Sequence, residues 1–268
     1  MSQAVWMTTL LITSESLPSS EAVLNEMRQT VGYQTLEYTT VAEEPTKFHV
    51  KTPHAELAMV LMEPKEECVS QYQLREACRR AWHWPEAAMS AVKAKRQIAV
   101  AVMPNAQELD TLDAALLLTA WTNAVLRCTP EAAVVVWNAS GMLHDPMEFQ
   151  KHSKEINRQT LPIELWIEFR LFLHEDKTVS VGTWGMEAFG HPEMEVLHSR
   201  RDLKWLLHWL FNTAHFVLEC GVQLDPEHTF GSSENEQFGI QLTASAEEMN
   251  RKGSRKVVRL DFDVPETH

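Results

Sequence analysis

Short apolar runs alternate with amphipathic stretches along the chain, and the periods of the two predict its elements. Residues 4–13 (AVWMTTLLIT) form an almost unbroken run of β-branched and apolar types, which predicts a buried strand. Leu17-Pro18-Ser19-Ser20 then supplies a turn and a helix N-cap, after which Val23, Leu24, Met27 and Val31 recur on one helical face. Extended runs follow near residues 35–40, 46–51 and 55–62, and the last (AELAMVLM) is apolar enough for a central strand. A helical region near 69–81, a second helix opened by Pro85 and the strand 97–103 (QIAVAVM) come next.

The stretch Leu109 to Cys128 is helical in period but apolar all round in its middle (AALLLTAW), so it must be covered on every side. Residues 131–137 (EAAVVVW) read as a buried strand, and a helix follows from Pro146 to about Ile156. Residues 162–174 and 177–184 form a hairpin turned by Glu175-Asp176-Lys177, with a third strand at 192–197. Ser199 is placed to cap a long helix that runs to Cys220 and stops at Gly221. Strands near 238–243 and 255–262 finish the chain. The order β-α-β-β-β-α-β therefore occurs twice. It predicts an α+β protein of mostly antiparallel or mixed sheets, with similar halves at 1–104 and 131–268, a buried connecting helix within 105–130, and a cleft between the halves as the natural binding place.

Composition narrows the function. At 268 residues and 44% hydrophobic the chain can bury a substantial core. A net charge of -13, from 24 basic and 37 acidic residues, leaves no broad surface for neutralising phosphates. Nucleic acid and anionic membranes are thereby excluded as partners, and a basic protein or peptide fits better. No run approaches the roughly 18 apolar residues of a membrane span, and the N-terminal run lacks the basic start and cleavage site of a signal peptide. Cys68, Cys78, Cys128 and Cys220 are scattered without a C-x-x-C pair, as expected of reduced thiols in a cytoplasm.

The densest chemistry lies in TWGMEAFGHPEMEV, residues 183–196. His191, Glu193 and Glu195 alternate along a strand, so they share one face, expected to be the solvated one, while Met194 and Val196 take the other. His191 and Glu193 could supply two ligands to a divalent ion, but Glu195 stands about 13 Å from His191 by strand rise, so a third ligand has to come from elsewhere. Gly185 and Gly190 shape a bulge or turn beside Trp184. In Trp82-His83-Trp84-Pro85 two tryptophans bracket a helix start, as an apolar plug over a sheet or as a stacking surface for a ligand. His208 and His215 lie two turns apart on the long helix, about 10 Å, too far to chelate one ion. Ser140 follows a buried strand but lacks the first glycine of a G-x-S-x-G elbow. With no glycine-rich phosphate loop, H-E-x-x-H or Cys/His cluster, the residues call for no cofactor.

Several of these stretches together resemble one bacterial family, domain of unknown function 4261. They are Thr183 to Gly190 with Pro192-Glu193-Met194-Glu195, Trp84-Pro85-Glu86-Ala87, the strand Val134 to Trp137 leading to Ser140-Gly141, and Thr229-Phe230-Gly231. Asp225-Pro226-Glu227-His228 departs from the glycine-containing turn that the family would have there. The resemblance implies a cytoplasmic α+β protein of the kind found beside secreted-toxin systems. The leading expectation is a non-catalytic protein that binds another protein, as an immunity protein binds a basic toxin. The alternatives are a metal-dependent enzyme using His191 and Glu193 and an adaptor for a secreted effector. Candidate binding residues are His191, Glu193, Glu195, Trp184, Trp82 and Trp84.

Overall fold

The computed structural model describes residues 5–63, 65–105, 109–225, 230–233, 236–249 and 256–262. The chain divides into two units, Met1–Trp166 and Ile167–His268.

The first unit opens with β1 (Trp6–Ile12) and α1 (Ser20–Gln29), where Ser19 caps the helix by accepting from the Ala22 N–H. Val23, Leu24 and Met27 are buried as their spacing predicts, but the helix stops at Gln29 and Val31 is exposed. The hairpin strands β2 (Thr39–Glu44), β3 (Lys47–Lys51) and β4 (Ala55–Leu61) follow. Next come α2 (Gln71–Arg80), with a Ser70/Gln73 capping box, α3 (Ala87–Val92) and β5 (Arg96–Pro104). The unit closes with α4 (Thr111–Arg127), β6 (Ala132–Trp137), β7 (Met142–His144), α5 (Pro146–His152) and α6 (Ile163–Trp166). Its seven strands form one sheet in the order β2-β3-β4-β5-β1-β6-β7, antiparallel throughout.

This sheet explains why β1 reads as a continuous apolar run rather than an alternating one. Strand β1 lies between β5 and β6, and both its faces are covered. On one face Thr8 meets Thr122 of α4, their hydroxyl oxygens 2.7 Å apart. On the other, Leu11 joins Val134, Val136 and Leu143 beneath Leu74 and Ala77 of α2 and Ala87 and Ala91 of α3. Helix α4 is buried from Leu112 to Leu126 with the single exception of Asp113, as its all-round apolar composition predicts. Two of its buried side chains are hydrogen-bonded inside: Thr119 accepts from the Trp166 indole N–H at 2.9 Å, and Trp121 donates to the Ala58 carbonyl at 3.1 Å.

The second unit holds β8 (Glu168–Leu173), β9 (Val179–Trp184), β10 (Met194–Ser199), α7 (Leu203–Cys220), β11 (Phe230–Ser233), β12 (Glu236–Ala244) and β13 (Lys256–Asp261). The sheet order is β11-β12-β13-β10-β9-β8, and β10 runs parallel to β13, so the sheet is mixed. Helix α7 packs on β9 through its Leu206, Leu210, Ala214, Val217 and Leu218 face, while Trp205 and Trp209 close over buried Phe262. Gly221 ends it at φ 64°, the left-handed cap position foreseen for it.

The α+β class and the mostly antiparallel or mixed sheets are therefore as expected, and the division of the chain is not. Strand β6, expected to open a second half, is hydrogen-bonded to β1, and α4 belongs to the first unit rather than joining two. The break follows Trp166, and the two sheets differ in strand number and order. Two local corrections accompany it. The stretch expected as a strand from 162 starts as the short helix α6, and Asp202, not Ser199, caps α7 by accepting from the Lys204 and Trp205 N–H groups. Pro226, Glu227, His228 and Thr229 lie outside the described residues.

Candidate functional site

The stretch 183–196 folds as the end of β9, a single 3₁₀ turn (Met186–Phe189) and the start of β10. Gly185 enters the turn at φ 124°, ψ −17°, and Gly190 leaves it at φ 81°, conformations that a Cβ strongly disfavours. A turn this tight leaves N–H groups without main-chain acceptors, and Glu193 takes them. Its Oε1 accepts from the N–H of Gly185 at 2.7 Å and of Glu187 at 3.3 Å, and its Oε2 accepts from the Thr183 hydroxyl at 2.8 Å. Thr183 in turn accepts from the Met194 N–H at 2.8 Å.

Glu195 is used in a similar way on the next ladder. Its carboxylate accepts from the Ser245 hydroxyl and, at 3.2 Å, from the Ala246 N–H, and lies 3.5 Å from Arg259 of β13, its register partner. Arg259 also donates to the Ala244 carbonyl at 3.1 Å. Glu195 thus ties the end of β12 to the β10–β13 pair.

The expectation that Glu193 and Glu195 face solvent is overturned: they are 4% and 0% exposed. Strand β10 is interior to its sheet, and each buried carboxyl group finds hydrogen-bond donors, Glu193 from the adjoining turn and Glu195 from a segment some fifty residues on. His191 is half-buried, its Nδ1 has no hydrogen-bond partner, and burial lowers its pKa below the ordinary imidazole value. Among the described residues no group of three or more His, Cys, Asp or Glu side chains is placed to hold a metal ion. The metal-dependent reading of His191 and Glu193 therefore lacks both a free carboxylate and a third ligand there.

Trp184 is half-buried under Arg170, whose guanidinium lies 4.0 Å from the ring centroid. The same guanidinium is held by Glu168 Oε2 at 2.7 and 2.5 Å. In the first unit Trp84 packs against the α2–α3 core cluster, as a plug would, whereas Trp82 is 53% exposed and meets the His83 ring edge-on, with centroids 5.9 Å apart. The six candidates thus fall in two units, Trp82 and Trp84 in one and the other four in the second.

Three further features went unforeseen. His174 and His198, expected at the end of a hairpin strand and at a helix entry, stack with ring centroids 4.1 Å apart. His174 Nε2 is 2.8 Å from the Ser180 hydroxyl, which also accepts from the His198 N–H at 3.0 Å. The hydroxyl and N–H of Thr178 hold the nearby Asp176 carboxyl below its usual pKa. Residues so far apart in sequence give no local signal of meeting. A second feature is a cavity of about 420 Å³ in the first unit, floored by Leu116 and Leu117 and rimmed by Tyr33, His54 and Asp113. Burial, with a contribution from Asp113, pushes the Tyr33 hydroxyl up to about 12.

The third is an open groove of about 330 Å³ between α2 and α3, lined by Leu74, Cys78, Ala91 and Val92 with Arg75 and Arg79. Met89 and Val92 on α3 and Tyr72 on α2 stand 65, 85 and 67% exposed. No helix among the described residues is long and apolar enough to cross a membrane.

Comparison with known proteins touches the second unit alone. No curated protein and no solved structure matches the chain. Residues 182–260 match the family model described as domain of unknown function (DUF4261), a span that starts just before Trp184 and includes Glu193, Glu195 and Arg259. The similarity to that family is thus confined to the C-terminal unit.

Proposed function

We propose that this protein acts by binding another protein and is not an enzyme. The observation that supports the reading is the open apolar face of α2 and α3, where Met89, Val92 and Tyr72 stay largely in solvent although the cores beneath are closed. Exposed apolar groups on the two helices that flank a groove, Val92 in its lining, favour a partner surface over an ordinary solvated one. By contrast the carboxylates that looked chemically available are engaged in holding turns together.

The specific form of the proposal is an immunity protein that neutralises a toxin by complex formation in the cytoplasm. All four cysteines are free, which supports a reducing compartment. The net charge of -13 would speed the approach of a basic toxin. The test is affinity capture by the full-length protein from native lysate at low and high salt, followed by reconstitution from purified components. A stoichiometric complex is expected. Recovery of no specific protein at either salt would refute the reading, and recovery of unfolded chains alone would favour an adaptor instead.

A further inference from the structure

We infer that the groove between α2 and α3 docks an acidic, amphipathic peptide segment of a partner protein. This rests on the protein-binding reading and names the chemistry of the partner at that site. The charge of the groove is opposite to that of the chain. Overall the protein is at -13, yet residues 71–96 carry six basic side chains (Arg75, Arg79, Arg80, Lys93, Lys95, Arg96) against two acidic ones (Glu76, Glu86), a local balance of +4.

Not all of these face the groove. Arg96 donates to the Met62 carbonyl, and Arg80 reaches toward Gly141. The charged residues in the lining itself are Arg75 and Arg79, with no carboxylate among them. Arg79 shares its charge with Glu76 at 2.6 Å, and both ends of that pair are solvated, so it exchanges readily for a partner's carboxylate.

Shape selects the class of occupant. The floor of Leu74 and Ala91 is apolar, and Val92, 85% exposed, continues it outward as an apolar rim. A small anion would leave that rim wet, and a flat lipid surface would not fill the concavity. A helix with apolar residues at i, i+3/i+4 and i+7 and carboxylates beside them covers both, the apolar side chains entering the groove and the carboxylates meeting Arg75 and Arg79. The interaction is charge-assisted at its edge and hydrophobic at its centre, so salt weakens it without abolishing it.

The test uses the full-length protein as bait for a displayed library of random peptides long enough for several helical turns. Two variants, Arg75→Glu with Arg79→Glu and, separately, Val92→Asp, serve as controls, all three changes being at exposed positions that leave the core untouched. The expected result is enrichment of peptides with acidic residues and helically spaced apolar ones, whose affinity by fluorescence anisotropy falls at least about tenfold on either variant. Enrichment of basic peptides, no enrichment at all, or binding indifferent to both variants overturns the proposal. So does preferential binding to vesicles of anionic phospholipid over the selected peptides, or self-association of the protein blocked by Val92→Asp. A stoichiometric partner captured from lysate alongside any of these results would place the binding surface elsewhere and leave the protein-binding reading standing.

Discussion

Replacing Glu193 separates a structural from a chemical role for the 183–196 stretch. In Glu193→Ala the N–H groups of Gly185 and Glu187 and the Thr183 hydroxyl lose their acceptor in a site where the parent side chain is 4% exposed. A buried donor left without an acceptor costs about 1–3 kcal/mol. The Thr183 hydroxyl can rotate and a water can enter the vacated space, so the sum falls to roughly 3–5 kcal/mol. Glu193→Gln keeps one carbonyl oxygen for the two backbone donors but turns its amide toward Thr183, which already accepts from Met194, and should cost about 1–2 kcal/mol. Urea unfolding followed by tryptophan fluorescence gives the global values, and hydrogen exchange of the Gly185 and Glu187 amides gives the local one. A Glu193→Ala variant within about 0.5 kcal/mol of the parent, or a Glu193→Gln variant more stable than it, would refute the structural role, since a carboxylate kept for a ligand characteristically lowers stability.

Gly185→Ala forces a side chain onto φ 124° and should lower stability by about 1–2 kcal/mol, measured by the same unfolding experiment, with Gly239→Ala, whose added methyl meets Asp261 Cβ no closer than 4.0 Å, as a milder control. His144 is fully buried, donates from Nε2 to the Leu165 carbonyl, and is held near a pKa of about 3 by burial and by His83. Its folded pKa lies below its unfolded value, so the unfolded chain binds the extra proton, and stability is lost as pH falls from the unfolded value near 6.5 toward 3. The loss between pH 8 and pH 5 should be roughly 2 kcal/mol greater in the parent than in His144→Gln, which keeps a donor but cannot titrate. Equal pH dependence of the two would contradict the assignment. Burial raises the thiol pKa of Cys68, Cys78 and Cys128, whereas Cys220 is exposed, so mass spectrometry after brief alkylation should find Cys220 modified first.

How much of this was written locally depends on the range of the interactions. The all-round apolar middle of α4 dictates complete burial whatever covers it, and Glu175-Asp176-Lys177 between two β-rich runs dictates a hairpin; Lys177 does turn it, at φ 66°. Gly221 ends α7 because the left-handed position favours glycine. Pairing between distant strands is not local. The repeated element order suggested two halves, but the partner of β6 is β1, more than a hundred residues earlier, and nothing in either strand names the other. The cap of α7 was misplaced for a related reason, since Ser199 and Asp202 are both good caps and only the length of β10 decides between them.

The site was hidden by the same non-local effects. Strand alternation correctly set His191, Glu193 and Glu195 apart from Met194 and Val196, but it says nothing of whether the polar face meets water. Glu193 is covered by the 3₁₀ turn and Glu195 by the segment after β12, some fifty residues on. One signal was available: Gly185 and Gly190 mark a tight turn with N–H groups to satisfy, and Glu193 is the acceptor next along the chain. The α2–α3 groove had no comparable signature, because Met89 and Val92 on a short helix read equally well as core.

Formation of a saturable complex between the purified protein and a partner recovered by capture tests the protein-binding role most directly. Isothermal titration of the full-length protein with that purified partner should give a defined stoichiometry, unaffected by chelator and weakened by Val92→Asp. A complex that requires added metal, or no saturable complex with any captured protein, would contradict it.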